Sequence, residues 1–99
     1  MTYVIFEVKS EDSGKINKLT KDDLVSRQSI LTRDSNSLDM KGDYSYVKIE
    51  GNVQGIKRAE ELAKELELKK VDEKKAKKIN TMIEEQEDSA ASGIGMIFD

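Results

Sequence analysis

Hydrophobic and polar positions along the chain change period several times. Residues 2–9 (TYVIFEVK) alternate. Val4, Phe6 and Val8 fall on one side; Tyr3, Ile5, Glu7 and Lys9 fall on the other, as a strand requires. Residues 10–14 (SEDSG) break the pattern and read as a loop. Ile16 and Leu19 then take helical spacing, and residues 20–23 (TKDD) resemble a capping box that starts a further turn. Residues 28–33 (QSILTR) read as a short strand. Residues 34–43 (DSNSLDMKGD) are dense in turn formers and join it to the next strand. Residues 44–50 (YSYVKIE) alternate again. Ser45, Val47 and Ile49 face one way, and Tyr44, Tyr46, Lys48 and Glu50 the other.

From Asn52, a good N-cap, the period becomes helical. Val53, Ile56, Ala59, Leu62, Ala63 and Leu66 form one stripe. Asp72 caps a second helix with the stripe Ala76, Ile79, Met82 and Ile83. Residues 89–92 (SAAS) read as a joint. Ile94, Met96 and Phe98 alternate, so residues 94–98 read as a last strand, with a flexible tail over 89–99 as the other reading.

The predicted fold is a single α+β domain over residues 1–99. Its element order is β-α-β-β-α-α-β, a ferredoxin-like arrangement with an extra helix. An antiparallel sheet of about four strands carries its helices on one face, leaving the other wet.

Composition narrows the chemistry. Among 99 residues there is no cysteine and no histidine. Thiolate zinc sites, iron–sulfur clusters and a cysteine nucleophile are excluded. The usual neutral-pH general base and the commonest transition-metal ligand are missing. An oxygen-ligated hard cation, calcium or magnesium, is what remains; no transition metal is expected. Charged residues make up 37% of the chain, against about 25% in ordinary domains, yet the net charge is only −3. No general attraction to DNA or anionic lipid follows. No apolar run reaches membrane-spanning length, and the first residues lack a signal-peptide pattern, so the expected location is the cytoplasm. No phosphate-cradling loop, nucleophile elbow or metalloprotease helix is present, so no enzyme activity is expected.

Three features carry candidate chemistry. The first is acid in loops and at a helix end: Glu11, Asp12 and Ser13; Asp34, Asn36, Asp39 and Asp43; Glu84, Glu85, Glu87, Asp88 and Ser89. Clustered carboxylates repel, and a divalent cation removes that cost. Asp34 and Asn36 would fill the first and third places of an EF-hand loop. Leu38, Asp39 and Ser45 then break that pattern, so a calcium site here is of another kind. Similarity in size, charge and element order to small archaeal α+β proteins, some of which bind calcium, points the same way. Divalent-cation binding through these loops is the leading functional expectation, and a macromolecule-binding module is the alternative.

The second feature is residues 41–49 (KGDYSYVKI), which resemble the third-strand signature of the RNA-recognition-motif family. The resemblance implies single-stranded RNA stacking on Tyr44 and Tyr46, joined by Tyr3 and Lys48. Asp43 is inserted after the glycine, and Ile49 replaces the last aromatic. A lysine cluster follows: Lys69, Lys70, Lys74, Lys75, Lys77 and Lys78, against Asp72 and Glu73. It reads as a solvated helix face or as a phosphate-holding patch.

The third is the C-terminal stretch 84–99 (EEQEDSAASGIGMIFD). It resembles the tail of the acidic ribosomal stalk proteins of archaea and eukaryotes. That resemblance implies an acidic linker and an apolar hook of Ile94, Ile97 and Phe98, freed by Gly93 and Gly95, that docks into a groove on translation GTPases.

Overall fold

A computed structural model describes residues 2–38 and 40–98, with side chains through residue 87. The chain runs β1 (Thr2–Lys9), a 3-10 turn (Ser10–Asp12), α1 (Gly14–Thr20), α2 (Asp23–Ser26), β2 (Ser29–Asp34), β3 (Tyr44–Gly51), α3 (Val53–Glu65), β4 (Lys69–Lys70) and α4 (Glu73–Phe98). The four strands form one sheet in the order β2-β3-β1-β4, every pair antiparallel. The class is α+β.

Polar side chains cap α2, α3 and α4. Asp22 accepts from the amides of Leu24 and Val25 and so caps α2. The Thr20 hydroxyl turns back to the Ile16 carbonyl, so the expected capping box is not used. Asn52 caps α3 through the Gly55 amide at 2.8 Å, and Asp72 caps α4 through the Lys75 amide at 2.8 Å.

The first core matches the sequence stripes. Val4, Phe6, Val8, Val47 and Ile49 pack under Leu19 of α1, Val25 of α2, and Ile56, Ala59 and Ala63 of α3. The second face departs from expectation. It is not wet, because α4 lies on it. Ile5 and Tyr46, 0% and 1% exposed, meet Val71, Ala76, Ile79 and Ile83, with Leu38 folded in from the β2–β3 loop. That face looked polar because of Glu7, Lys9, Lys48 and Glu50. The central residues Ile5 and Tyr46 decide the matter, and long charged side chains lay their apolar stems along such a surface.

The fourth strand is also elsewhere. Residues 94–98, expected as the last strand, have their backbone in α4. Five apolar-rich residues fit both periods, and periodicity alone does not arbitrate at that length. The sheet instead takes Lys69–Lys70, which pair with Glu7 and Phe6, followed by a bond from the Val71 amide to the Ile5 carbonyl at 2.9 Å. The chain is turned onto that path by the end of α3. The Leu68 amide reaches the Ala63 carbonyl at 2.8 Å, the Glu67 amide reaches that of Lys64 at 3.1 Å, and Glu67 sits at φ 59°. This is a Schellman closure with a glutamate where glycine is the usual occupant. No described helix is long and apolar enough to cross a membrane.

Glu67 is exposed, so its left-handed backbone is the main thing a glycine would change. Glu67→Gly should raise stability by about 0.5–1 kcal/mol, read from the midpoint of urea unfolding. An unchanged or lowered midpoint would show that the turn stores no strain.

Candidate functional site

The register decides what the β1–β3 surface presents. Tyr3 stands opposite Glu50, Ile5 opposite Lys48, and Glu7 opposite Tyr46. Strand alternation sends Tyr3, Tyr44, Tyr46 and Lys48 to one face, as the RNA-recognition resemblance requires. That face is the one α4 covers. Tyr46 is 1% exposed and Lys48 6%, while Tyr3 and Tyr44 are half-buried against the same cluster. The stacking platform is therefore closed in this structure, and its aromatic rings serve the interior. The sequence signature concerns one strand, and nothing within it reports a helix arriving thirty residues later.

A polar seam lies beneath the helix. Lys75 Nζ of α4 stands 3.5 Å from Glu7 Oε2 and 5.5 Å from the centre of the Tyr46 ring. Glu7 Oε2 is fully covered and receives no hydrogen bond from the described residues, so the ion pair is its sole compensation among them. Burial pushes the Lys75 ammonium down. The Tyr46 oxygen and the Glu7 carboxylate more than offset this, leaving its pKa above the ordinary lysine value. Lys48 Nζ lies 3.6 Å from Glu50 Oε1 and 5.3 Å from the Tyr3 ring centre. Further along α4, Arg33 of β2 approaches Glu87 at 3.9 Å, and the Gln86 amide donates to the Ser37 carbonyl.

The acidic positions are spread over several jobs. Asp34 Oδ1 accepts from the Ser37 amide at 2.8 Å, and the bonds from Ser37 hold its pKa below the ordinary carboxylate range. Asn36 is exposed. Glu84 accepts from Asn80 at 3.3 Å, Glu85 points to solvent and Glu87 faces Arg33. Asp39 and the side chains of Asp88, Ile94, Ile97 and Phe98 lie outside the described residues. Among the described residues no three carboxylates converge. Ser10, next to the first of the acidic clusters, bonds to Asp43 of the second. The Ser10 amide donates to the Asp43 carbonyl at 3.0 Å and the Ser10 hydroxyl to Asp43 Oδ1 at 2.8 Å. Glu11 and Asp43 thereby line one shallow groove of about 320 Å³ with Lys9, Ser10, Gly42 and Tyr44.

The sequence reading missed three structural side chains. Ser35, 2% exposed, organises the β2–β3 loop: its hydroxyl donates to the Gly42 carbonyl at 2.6 Å, and its carbonyl accepts from the Leu38 and Met40 amides. Gly42 has φ +106°, and a Cβ there would meet the Tyr44 ring at 2.8 Å. Gln28 joins α2 to the start of α3, accepting from the Asn52 amide at 3.1 Å and donating to the Leu24 carbonyl at 2.9 Å. It lies across Gly51 and Gly55, where any Cβ would collide with its amide. Arg58 of α3 reaches Asp22 Oδ1 at 3.0 Å. A polar residue among turn formers gives no hint of such partners.

At the open edge of β1, a cleft of about 390 Å³ runs between α3 and α4, with Thr2, Tyr3, Ile56, Glu60 and Glu73 in its walls. Glu60 is engaged by Lys70 at 3.3 Å. Comparison with family models, curated proteins and solved structures finds no match.

The Asp22 pair sets a pH dependence. Burial raises its pKa, but the Arg58 guanidinium and the two helix amides outweigh that and hold it below the ordinary carboxylate value. A lowered folded pKa contributes stability above the unfolded value, about 3.9, and that contribution is lost as pH falls through the folded value. Asp22→Asn keeps a capping side chain and removes the charge. The wild type should be the more stable of the two at neutral pH, and the gap should narrow as pH falls below the ordinary aspartate value, measured by denaturant unfolding across that range. A gap independent of pH would assign the effect to capping.

Proposed function

We propose that this protein is a non-enzymatic protein-interaction module whose sheet domain holds α4 as a projecting arm for a partner. The observation that carries this is the run of α4. It is anchored on the sheet through Ala76, Ile79 and Ile83 and then continues as a helix to Phe98, 26 residues in all. That is roughly 39 Å of helix at 1.5 Å per residue. The part beyond the anchor carries acid first and then apolar residues. Ile94, Ile97 and Phe98 stand at i, i+3 and i+4, the spacing with which an amphipathic helix fills a hydrophobic groove. The resemblance to the ribosomal stalk tail supports the partner class, a translation GTPase with an apolar groove. Burial of the tyrosine face argues for this over RNA.

The 99-residue chain, fluorescently labelled and titrated with a translation elongation GTPase, should show saturable binding. Ile97→Ala with Phe98→Ala should weaken it at least about tenfold, the loss of two buried apolar anchors. Binding that is absent, or indifferent to both substitutions, would reject the hook.

A second reading rests on the groove that Glu11 and Asp43 line: a weakly held divalent cation bound by those carboxylates. Calcium at millimolar concentration should then shift the amide resonances of Ser10–Asp12 and Gly42–Tyr44 and leave those of α3 in place. Glu11→Gln should abolish the shifts. Uniform small shifts along the chain would mean ionic screening alone.

A further inference from the structure

The outward face of α4 carries a charge pattern that neither the core nor the proposed hook uses. Lys74, Lys77, Lys78, Thr81, Glu84 and Glu85 are all exposed. At 100° per residue they fall within an arc of about 120°, directly opposite the buried Ala76, Ile79 and Ile83. Along that arc the basic residues precede Thr81 and the acidic ones follow it. Lys74 stands in the first turn of α4, where the helix dipole favours acid. The order also sets Lys74 beside Lys78 at i, i+4, a repulsive spacing. Among the described residues, none of Lys74, Lys77, Lys78 and Glu85 has an ion-pair partner.

The pattern is antisymmetric in charge about Thr81. Counting outward from Thr81, Lys78 mirrors Glu84 and Lys77 mirrors Glu85, and in the sequence Lys74 mirrors Asp88. An antiparallel copy of the same helix, related by a two-fold axis at Thr81, meets a base with an acid at each of these positions. Thr81, the shortest side chain of the row, sits on the axis and lets the helices approach. Isologous pairing of this kind is the commonest symmetry of soluble oligomers.

We propose that the outward face of α4 is a self-association surface, pairing antiparallel with α4 of a second copy through reciprocal lysine–glutamate contacts centred on Thr81. The proposal is independent of the hook and of the cation groove. Without an apolar centre the pairing is weak and salt-sensitive, because exposed ion pairs are individually worth little and are screened.

Charge exchange tests it directly. Lys77→Glu with Lys78→Glu leaves Lys74 as the only base among the described residues of the face; Glu84→Lys with Glu85→Lys leaves no acid among them. All four positions are exposed, and circular dichroism of each variant should show the helices retained. By sedimentation equilibrium at about 0.1–1 mM protein in about 20 mM salt, the wild type should populate a dimer, with Kd rising at least about tenfold in 0.3 M salt. Each variant alone should be monomeric, and their equimolar mixture should associate at least as tightly as the wild type. Lys18→Glu with Lys21→Glu, the same charge change on exposed residues of and beside α1, should leave the dimer intact. A monomeric wild type at 1 mM in low salt would overturn the proposal. So would variants that still self-associate, a mixture that stays apart, or equal loss in the α1 control.

Discussion

Packing of α4 across the second face of the sheet is the contact on which the rest of the structure depends. Ile79 and Ile83 are wholly buried there, against Ile5 and Tyr46. Each such side chain contributes about 1.5–3 kcal/mol by leaving water. Without them a sheet covered on one side would leave Ile5, Leu31, Tyr46 and Val71 exposed together, a patch of the kind that drives aggregation. The layer order, with α1–α3 on one side and α4 on the other, also decides which residues are left free to meet other molecules.

The charged groups at that interface act as a boundary around its apolar centre. Lys75 and Glu7 close one end, Arg33 and Glu87 the other, and Gln86 ties the helix to the loop after β2. Removing one partner of a covered pair costs more than the pair is worth, because the remaining group stays desolvated. Such pairs therefore specify where the helix sits more than they strengthen its hold.

Much of the fold was legible in the sequence. The two long strands, the face assignment of each residue on them, and the caps at Asn52 and Asp72 follow from period and capping chemistry. Three things did not. The two-residue strand at Lys69–Lys70 is too short to show a period. The burial of Tyr46 and Lys48 depends on a helix distant in sequence, while the local pattern around Tyr44 and Tyr46 suits an open platform equally well. The hydrogen bonds that hold the carboxylates of Asp34 and Asp43, from the Ser37 amide and the Ser10 hydroxyl, join residues whose pairing composition cannot reveal.

The order of the strands has a consequence for how the molecule forms. β1 precedes both of its neighbours, β3 and β4, in the chain, so Thr2 waits for Gly51 and Glu7 for Lys69. Contacts so far apart along the chain carry a loop-closure penalty before they return anything, and proteins built on them reach the native state more slowly than helical bundles of equal size. During synthesis this β-prone segment therefore emerges unpaired, and it must avoid foreign strand edges until β3 and β4 have followed it.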